Sequence, residues 1–140
     1  LSRLITGEGE NMKTVQDIMI TGEKNPVVDE KSCFRDVLEA MDIQSLGAVN
    51  VVDSKNRLMG IITDGDLRRL MLKTQDTLAE LFMKKVTMIM IKNPKTLSTD
   101  SSLEECLRLL KKYRFWVVPV VDKENRLSGM VHLHTLLSEI

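Results

Sequence analysis

The clearest chemistry in this sequence lies in residues 60–69, which read Gly-Ile-Ile-Thr-Asp-Gly-Asp-Leu-Arg-Arg. A strand is predicted to end at Thr63, followed by a turn and a helix that begins near Asp66. Amide groups at a helix N-terminus favour phosphate, and the Thr63 hydroxyl can bond to a phosphate oxygen. The Asp66 carboxylate suits a ribose diol, which offers two hydroxyl donors. Because Arg68 or Arg69 can add positive charge, this spacing is suited to a nucleotide.

The same residues also admit a structural interpretation. Asp64 follows the predicted end of the strand, and either Asp64 or Asp66 can serve only as a helix cap, with Thr63 as an ordinary strand residue. The spacing by itself favours this simpler interpretation. A ligand site therefore needs support from the rest of the sequence.

The hairpin that leads into this segment occurs twice. Residues 51–60 (Val-Val-Asp-Ser-Lys-Asn-Arg-Leu-Met-Gly) and 120–129 (Val-Val-Asp-Lys-Glu-Asn-Arg-Leu-Ser-Gly) are identical at seven of ten positions. Weaker matches extend the copies to about residues 15–72 and 86–139. An internal repeat indicates two copies of one supersecondary unit. Two units packed face to face would form one domain with a cleft between them.

The two copies differ after their shared glycine. His132 occupies the place of Thr63, and Thr135 occupies that of Asp66. On a strand, His132 and His134 would point to one face, and both imidazoles could reach one metal ion or one phosphate. Two imidazoles do not complete a metal site, so no metal is expected. The favoured role for both histidines is to line the cleft as polar or anion-contacting groups.

Hydrophobic periodicity and turn residues predict an α/β (α+β) fold. Each copy is expected to run strand, helix, strand, strand, helix, and the copies to pack as a pseudo-twofold pair. Ser32 and Ser101-Ser102 are the expected N-caps of the first helix in each copy. The predicted strands are 27–28, 48–52, 58–63, 96–97, 116–121 and 127–132, and the predicted helices are 33–44, 67–73, 103–113 and 135–139.

Composition limits the classes of function. Lysine plus arginine and aspartate plus glutamate are each 20, so the net charge is zero, which argues against nucleic acid as the main partner. No apolar run is long enough to span a bilayer, so no membrane partner is expected. Cys33 and Cys106 are expected inside helices as small buried hydrophobes, which suits a reducing cytoplasm. Tyr113, Phe115 and Trp116 are expected to pack in a core or interface, with base stacking a secondary role.

The duplicated unit resembles a tandem pair of cystathionine-β-synthase (CBS) domains over about residues 14–140. The motifs that carry the resemblance are the Val-x-x-Ile-Met opening and the Gly-Ile-Ile-Thr-x-x-Asp-Leu at the end of the hairpin. More narrowly, residues 60–69 and 131–137 are similar to the C-terminal CBS pair of bacterial arabinose-5-phosphate isomerases. Those enzymes make the precursor of Kdo, a sugar acid of lipopolysaccharide and capsule.

The resemblance implies a regulatory module that binds AMP, ATP or another nucleotide-like ligand between the copies. By position, Asp66 would take the ribose and Thr63 the phosphate side. Ile20-Thr21 and the backbone from Ala48 to Asn50 would wall the base pocket of the first copy. For the isomerase group, the downstream nucleotide sugar CMP-Kdo is a candidate feedback ligand. No cofactor is required by this scheme.

The second copy departs from the family motif, because Thr135 stands where the ribose-binding aspartate is expected. We therefore expect one competent site, or one asymmetric ligand that spans both copies. The complete set of candidate ligand-binding residues is Ile20, Thr21, Ala48, Asn50, Thr63, Asp64, Asp66, Arg68, Arg69, His132 and His134. No catalytic residue is assigned, since no nucleophile–base pair or glycine-rich phosphate loop is visible in the sequence.

The resemblance also sets expectations for domain organisation. Residues 1–13 would be a linker from a preceding sugar-isomerase domain, 14–76 the first CBS domain and 77–140 the second. The parent protein would be an aldose–ketose isomerase in the bacterial cytoplasm. CBS helices would form a homodimer, with a tetramer open for the parent enzyme. Two alternatives remain: a purely structural oligomerisation module, and a CBS pair of another sugar-phosphate enzyme such as a nucleotidyltransferase.

Overall fold

The structure is a computed structural model that describes residues 13–139, without the side chains of residues 43 and 44. The predicted linker therefore lies outside the described residues, apart from Lys13. In chain order the elements are α1 (Val15–Ile18), β1 (Val27–Asp29), α2 (Phe34–Gln44), β2 (Ala48–Val52), β3 (Leu58–Thr63), α3 (Asp64–Lys73), α4 (Leu78–Phe82), β4 (Ile91–Lys92), β5 (Leu97–Ser98), α5 (Leu103–Tyr113), β6 (Val117–Val121), β7 (Leu127–His132) and α6 (Leu133–Leu137). Short 3₁₀ turns lie at Gly22–Lys24 and Val86–Met88.

The chain divides into two compact units that do not follow the repeat from end to end. Of the described residues, 13–22 and 95–139 form one unit, and Glu23–Pro94 forms the other. In each unit, the opening segment of one copy therefore packs with the hairpin of the other copy. The domain boundaries at residues 14, 76 and 77 stay a prediction.

The unit Glu23–Pro94 contains a four-stranded sheet in the order β1-β2-β3-β4. Strand β1 is parallel to β2, while β2–β3 and β3–β4 are antiparallel. Every residue of β2 is buried, as expected for an inner strand rich in valine. The core beside this sheet includes Phe34, Val37, Val49, Ile62 and Leu67.

The other unit contains a three-stranded sheet in the order β5-β6-β7. Strand β5 is parallel to β6, and β6 is antiparallel to β7. An antiparallel bridge between Ile20 and Met130 extends the sheet at the β7 edge. Helices α1, α5 and α6 contribute Val15, Cys106, Leu110 and Leu136 to the core.

The glycine at the end of each matched ten-residue segment lies in the second strand of its hairpin, close to a methionine. A Cβ atom on Gly60 would lie 2.7 Å from the Met90 sulfur and 2.7 Å from the Ile91 carbonyl oxygen. A Cβ atom on Gly129 would lie 2.7 Å from the Met19 sulfur and 2.8 Å from the Ile20 carbonyl oxygen. Glycine is therefore needed in both copies because the neighbouring backbone approaches too closely for any side chain.

The predicted order of strand, helix, strand, strand, helix is confirmed in both copies. The bounds of β2, β3, β7 and α5 agree with the prediction, and the Ser102 hydroxyl caps α5 by accepting the Glu105 amide. The prediction for Ser32 is wrong, since the N-cap of α2 is Cys33, which therefore precedes the helix and is only partly buried. Cys106 is fully buried inside α5, as predicted.

The two closing helices begin earlier than predicted. Helix α3 begins at Asp64 instead of residue 67, and α6 begins at Leu133 instead of residue 135. Helices α1 and α4 and strand β4 were not predicted, because they are too short to show a hydrophobic period. None of the helices in residues 13–139 combines the length and apolar character needed to cross a membrane.

Candidate ligand-binding site

Thr63 and Asp66 form a reciprocal capping box at the start of α3. The Thr63 hydroxyl accepts the Asp66 backbone N–H at 3.2 Å. In return, Asp66 Oδ2 accepts the Thr63 backbone N–H at 2.9 Å and the Thr63 hydroxyl at 2.8 Å. The capping interpretation of these residues is thus correct in part, with Thr63 as the cap and Asp66 as its partner. To donate to a phosphate, the Thr63 hydroxyl would have to leave Asp66.

The remaining oxygen of Asp66 is also engaged. Asp66 Oδ1 accepts Arg69 Nη2 at 2.6 Å, and the Arg69 side chain is 58% exposed. A carboxylate offers about four lone pairs, of which three are used here. Because an exposed ion pair is worth about 1 kcal/mol or less, Arg69 can swing away at small cost. Asp66 can therefore accept a ribose diol only after Arg69 moves off Oδ1.

The first turn of α3 gathers charges of both signs. The Asp64 backbone N–H donates to the Gly47 carbonyl oxygen at 3.0 Å, which fixes the helix start beside the entry to β2. Gly47 has a φ of 74°, and a Cβ atom there would lie 3.4 Å from Asp64 Oδ2. A Cβ atom on Gly65 would lie 3.3 Å from Arg69 Nη1 and 3.7 Å from Arg68 Nη2. The structure therefore places Thr63, Asp64, Asp66, Arg68 and Arg69 around the first turns of α3, and their role as a ligand site stays a prediction.

Ala48 and Asn50 lie on β2, beside this helix start. Ala48 is directly opposite Thr63 across the β2–β3 ladder, and Asn50 is opposite Ile61. The Asn50 side chain is inaccessible to solvent, and its Nδ2 donates to Asn25 Oδ1 at 2.9 Å. The buried amide therefore holds the segment before β1 against β2. Ala48 is equally inaccessible to solvent, so the assignment of Ala48 and Asn50 to the wall of a base pocket stays a prediction.

Ile20 and Thr21 belong to the other compact unit. Ile20 pairs with Met130, and two backbone hydrogen bonds of 2.8 and 3.0 Å join them. Met130 precedes His132 by two residues on the same strand. The structure thus places Ile20 beside the histidine-bearing hairpin of the second copy. The assignment of Ile20 and Thr21 to the base pocket of the first copy stays a prediction.

The second copy builds its helix start from histidine. His132 is the N-cap of α6, and its Nδ1 accepts the His134 backbone N–H at 3.0 Å. The Leu133 backbone N–H donates to the Trp116 carbonyl oxygen at 2.8 Å, which repeats the bond from Asp64 to Gly47. His134 lies in α6, so the argument that both histidines share a strand face is wrong. Their rings nevertheless stack, with centroids 5.0 Å apart and planes inclined by 16°.

Burial lowers the pKa of His132 below its ordinary value, and the positive charge of a protonated His134 lowers it further. An unprotonated Nδ1 is also what the helix cap requires, because only a bare nitrogen can accept the His134 amide. Residues 13–139 hold no group of three or more histidine, cysteine, aspartate or glutamate side chains that could bind a metal. The two imidazoles therefore act in this structure as a cap and a stacking partner.

Trp116 was expected to pack in a core or an interface, and the structure excludes the core. Its side chain is 64% exposed, so it does not pack in the core. Its ring stacks on that of His134, with centroids 6.1 Å apart and planes inclined by 16°. Trp116, His134 and His132 therefore form a column of three rings. One signal was present in the sequence: the largest side chain stands where the first copy has Gly47.

Comparison with known proteins agrees with the duplicated fold. A model of the CBS domain matches residues 15–73 and again residues 86–140. Among curated relatives, the uncharacterised protein RP505 of Rickettsia prowazekii is 36% identical over 130 residues, which cover 93% of this chain and 39% of RP505. Arabinose 5-phosphate isomerase KdsD of Francisella tularensis is 32% identical over 126 residues, which cover 88% of this chain and 36% of that enzyme. The chain thus spans less than two fifths of the length of these relatives.

Solved structures show the same architecture. CBSX2 of Arabidopsis thaliana, crystallised in complex with AMP, superposes with a TM-score of 0.78 at 27% identity and covers 89% of this chain and 93% of its own. The cytosolic domain of the Mg²⁺ channel MgtE, in complex with ATP, gives a TM-score of 0.69 at 29% identity and covers 87% of this chain and 47% of its own. Since the two matches to the family model together cover most of the sequence, the chain belongs to the CBS domain family as a tandem CBS pair.

Proposed function

We propose that this chain is a regulatory module that binds a nucleotide or nucleotide sugar. The observation that carries the proposal is the start of α3, where Thr63, Asp66 and two arginines surround one strand-to-helix junction in a CBS pair. The crystallised relatives CBSX2 and MgtE support a nucleotide, since they were solved with AMP and ATP. Asp66 would accept the ribose diol after Arg69 moves away, and the freed guanidinium would then be available to a phosphate.

We further propose that the module belongs to an arabinose-5-phosphate isomerase of Kdo biosynthesis in the bacterial cytoplasm. The support is sequence similarity to KdsD of Francisella tularensis and, at 33% identity over 108 residues, to KpsF of Escherichia coli. The chain covers only 36% and 32% of those two enzymes, so catalysis would belong to another part of the protein. CMP-Kdo is then the candidate feedback ligand, with AMP and ATP as the alternatives.

Regulation would follow from a difference in affinity between two arrangements of the copies. A bound ligand shifts such an equilibrium only as far as it prefers one arrangement. The segment before Lys13 would carry that preference to the preceding domain.

A structural module for homodimerisation is the second candidate function. It is favoured by a group of exposed apolar side chains on and beside α3 and α4, namely Met71, Leu72, Leu78 and Met83, which are 54–81% exposed. Exposed apolar side chains that form a contiguous patch are typical of a protein interface. The altered motif of the second copy, with Thr135 in place of an aspartate, is consistent with this candidate.

Two measurements on the same samples separate the candidates. Isothermal titration calorimetry with AMP, ATP and CMP-Kdo measures binding, and light scattering with and without each compound measures assembly. The regulatory proposal expects saturable binding of at least one compound. Assembly of the chain with no heat from any of the three would refute it and leave the structural module.

A further inference from the structure

The indole of Trp116 lies beside the His134 ring while most of its surface stays open. It is the only tryptophan in the chain, and it is 64% exposed. The nearby rings of Tyr113 and Phe115 stack on each other at 5.3 Å and are only 37% and 38% exposed. Leaving a large aromatic ring in water gives up the apolar burial that usually stabilises it. The exposure of Trp116 leaves a large aromatic surface available to a planar partner.

The two imidazole rings stacked beside the indole lie at the start of α6. The His134 ring lies nearly parallel to the indole, with centroids 6.1 Å apart, and His132 stacks in turn on His134. The Trp116 carbonyl accepts the Leu133 amide, which holds the backbone of Trp116 beside the start of α6, and His132 Nδ1 accepts the His134 amide, which orients the His132 ring. A ring that is already ordered loses little conformational entropy when a planar partner stacks on its open side.

The corresponding place in the first copy is built for different chemistry. Gly47 aligns with Trp116, Thr63 with His132 and Asp66 with Thr135. The first copy thus presents a carboxylate and no ring, whereas residues 132–135 of the second copy present two imidazoles and no carboxylate. A carboxylate recognises sugar hydroxyls, while an open indole recognises a flat, aromatic ring.

We propose that Trp116, supported by His134, is a stacking platform for the nucleobase of a nucleotide bound at the second copy. This inference rests on the proposed nucleotide-binding function and names the chemical group that a ligand of the second copy must carry. It also excludes a simple sugar phosphate as the ligand of this site, because a sugar phosphate has no ring to stack. Stacking tolerates different bases, so purine and pyrimidine nucleotides both bind here.

The single tryptophan gives a direct measurement. The 140-residue chain is titrated with AMP, CMP and the base-free control ribose 5-phosphate while its intrinsic fluorescence is followed. Saturable quenching by AMP and CMP, with no change for ribose 5-phosphate, is the expected result. In calorimetry, Trp116→Leu weakens AMP binding by about 5- to 100-fold, which is the range for loss of one stacked base. Trp116→Phe keeps a ring and restores most of the affinity.

The outcomes separate this inference from the function on which it rests. AMP binding with no quenching and equal affinity in the wild type and in Trp116→Leu would overturn the platform and leave the proposed function standing. Absence of binding by every nucleotide would overturn both. Fluorescence that changes with protein concentration and not with nucleotide would assign Trp116 to an interface between copies of the chain, which also contradicts the platform. Circular dichroism of each variant establishes that it is folded before titration.

Discussion

Replacing Asp66 with alanine removes a helix cap and the proposed ribose acceptor together, so the two roles must be separated. The substitution deletes the acceptor of the Thr63 N–H and hydroxyl and breaks the Arg69 ion pair. The Thr63 hydroxyl can still accept the amide of residue 66. Loss of this half of the capping box costs about 1 kcal/mol, and the exposed ion pair adds less than about 1 kcal/mol. We expect the free energy of unfolding to fall by about 1–2 kcal/mol.

The loss of ligand affinity should be larger than a capping defect explains. A hydrogen bond to a charged group contributes about 1.5–3 kcal/mol, which corresponds to at least tenfold in affinity. Urea denaturation measures the first quantity and calorimetric titration with AMP measures the second. Asp66→Asn should also bind weakly, because the neutral amide is a poorer acceptor for two hydroxyls.

Asp36 offers a matched control at the start of α2. Its Oδ2 accepts the Cys33 backbone N–H at 2.9 Å, and this hydrogen bond holds the pKa of Asp36 below its ordinary value. Asp36→Ala therefore loses the same kind of capping interaction in the same compact unit. We expect it to lower stability by about 1 kcal/mol and to leave AMP affinity unchanged. If Asp66→Ala and Asp36→Ala lose similar stability and bind AMP equally well, Asp66 is only a cap and the ribose assignment is wrong.

Three further predictions concern stability and reactivity. Gly129→Ala should lower the free energy of unfolding, measured in urea, by about 1–3 kcal/mol. A second substitution that shortens Met19 should not restore the stability, because the Ile20 carbonyl oxygen stays 2.8 Å from the new Cβ. Full recovery would show that the clash is with the methionine alone. Because the folded-state pKa of His132 is lowered, the unfolded state binds more protons, and stability should fall as pH drops below about 6.5. His132→Asn keeps a capping acceptor and should flatten this dependence when thermal denaturation is measured at several pH values. An unchanged slope would point to another titrating group. Burial raises the pKa of the Cys106 thiol to about 12. Iodoacetamide should therefore modify the partly exposed Cys33 and spare Cys106 in the native chain, as detected by mass spectrometry. Equal labelling of the two cysteines would contradict the buried position of Cys106.

The strands were predictable because their signals are local. Residues 48–52 and 58–63 are rich in β-branched and aliphatic side chains, and Asp53 begins the turn between them by accepting the Lys55 and Arg57 amides. Turn chemistry of this kind is written in a few consecutive residues. The same pattern in residues 117–132 made both hairpins visible, and the identity between the copies added independent support.

Helix starts were less predictable because several residues compete for the cap. Ser32 is the stronger capping residue by preference, yet Cys33 takes that position in the structure. The Phe34 amide donates to the Lys84 carbonyl, and the Val86 amide donates to the Ser32 carbonyl. A partner some fifty residues away thus sets where α2 begins, and no local pattern contains that information.

The candidate site also has features that the sequence predicts and features that it does not. The residue types at Thr63 and Asp66 and the contrast with His132 and Thr135 are visible in the sequence. The engagement of Asp66 by Arg69 and the exposure of Trp116 are not, because both depend on side-chain geometry at a helix start.

The sequence by itself determined the duplication, the fold of each copy and the point at which the copies diverge, since these follow from repetition, hydrophobic period and turn residues. Only the tertiary structure decided that the opening segment of each copy pairs with the hairpin of the other, as Ile20 does with Met130. It also decided that only glycine fits beneath each paired segment and that the Trp116 ring is largely exposed beside His134. The physical reason is that these features arise where residues distant in sequence meet.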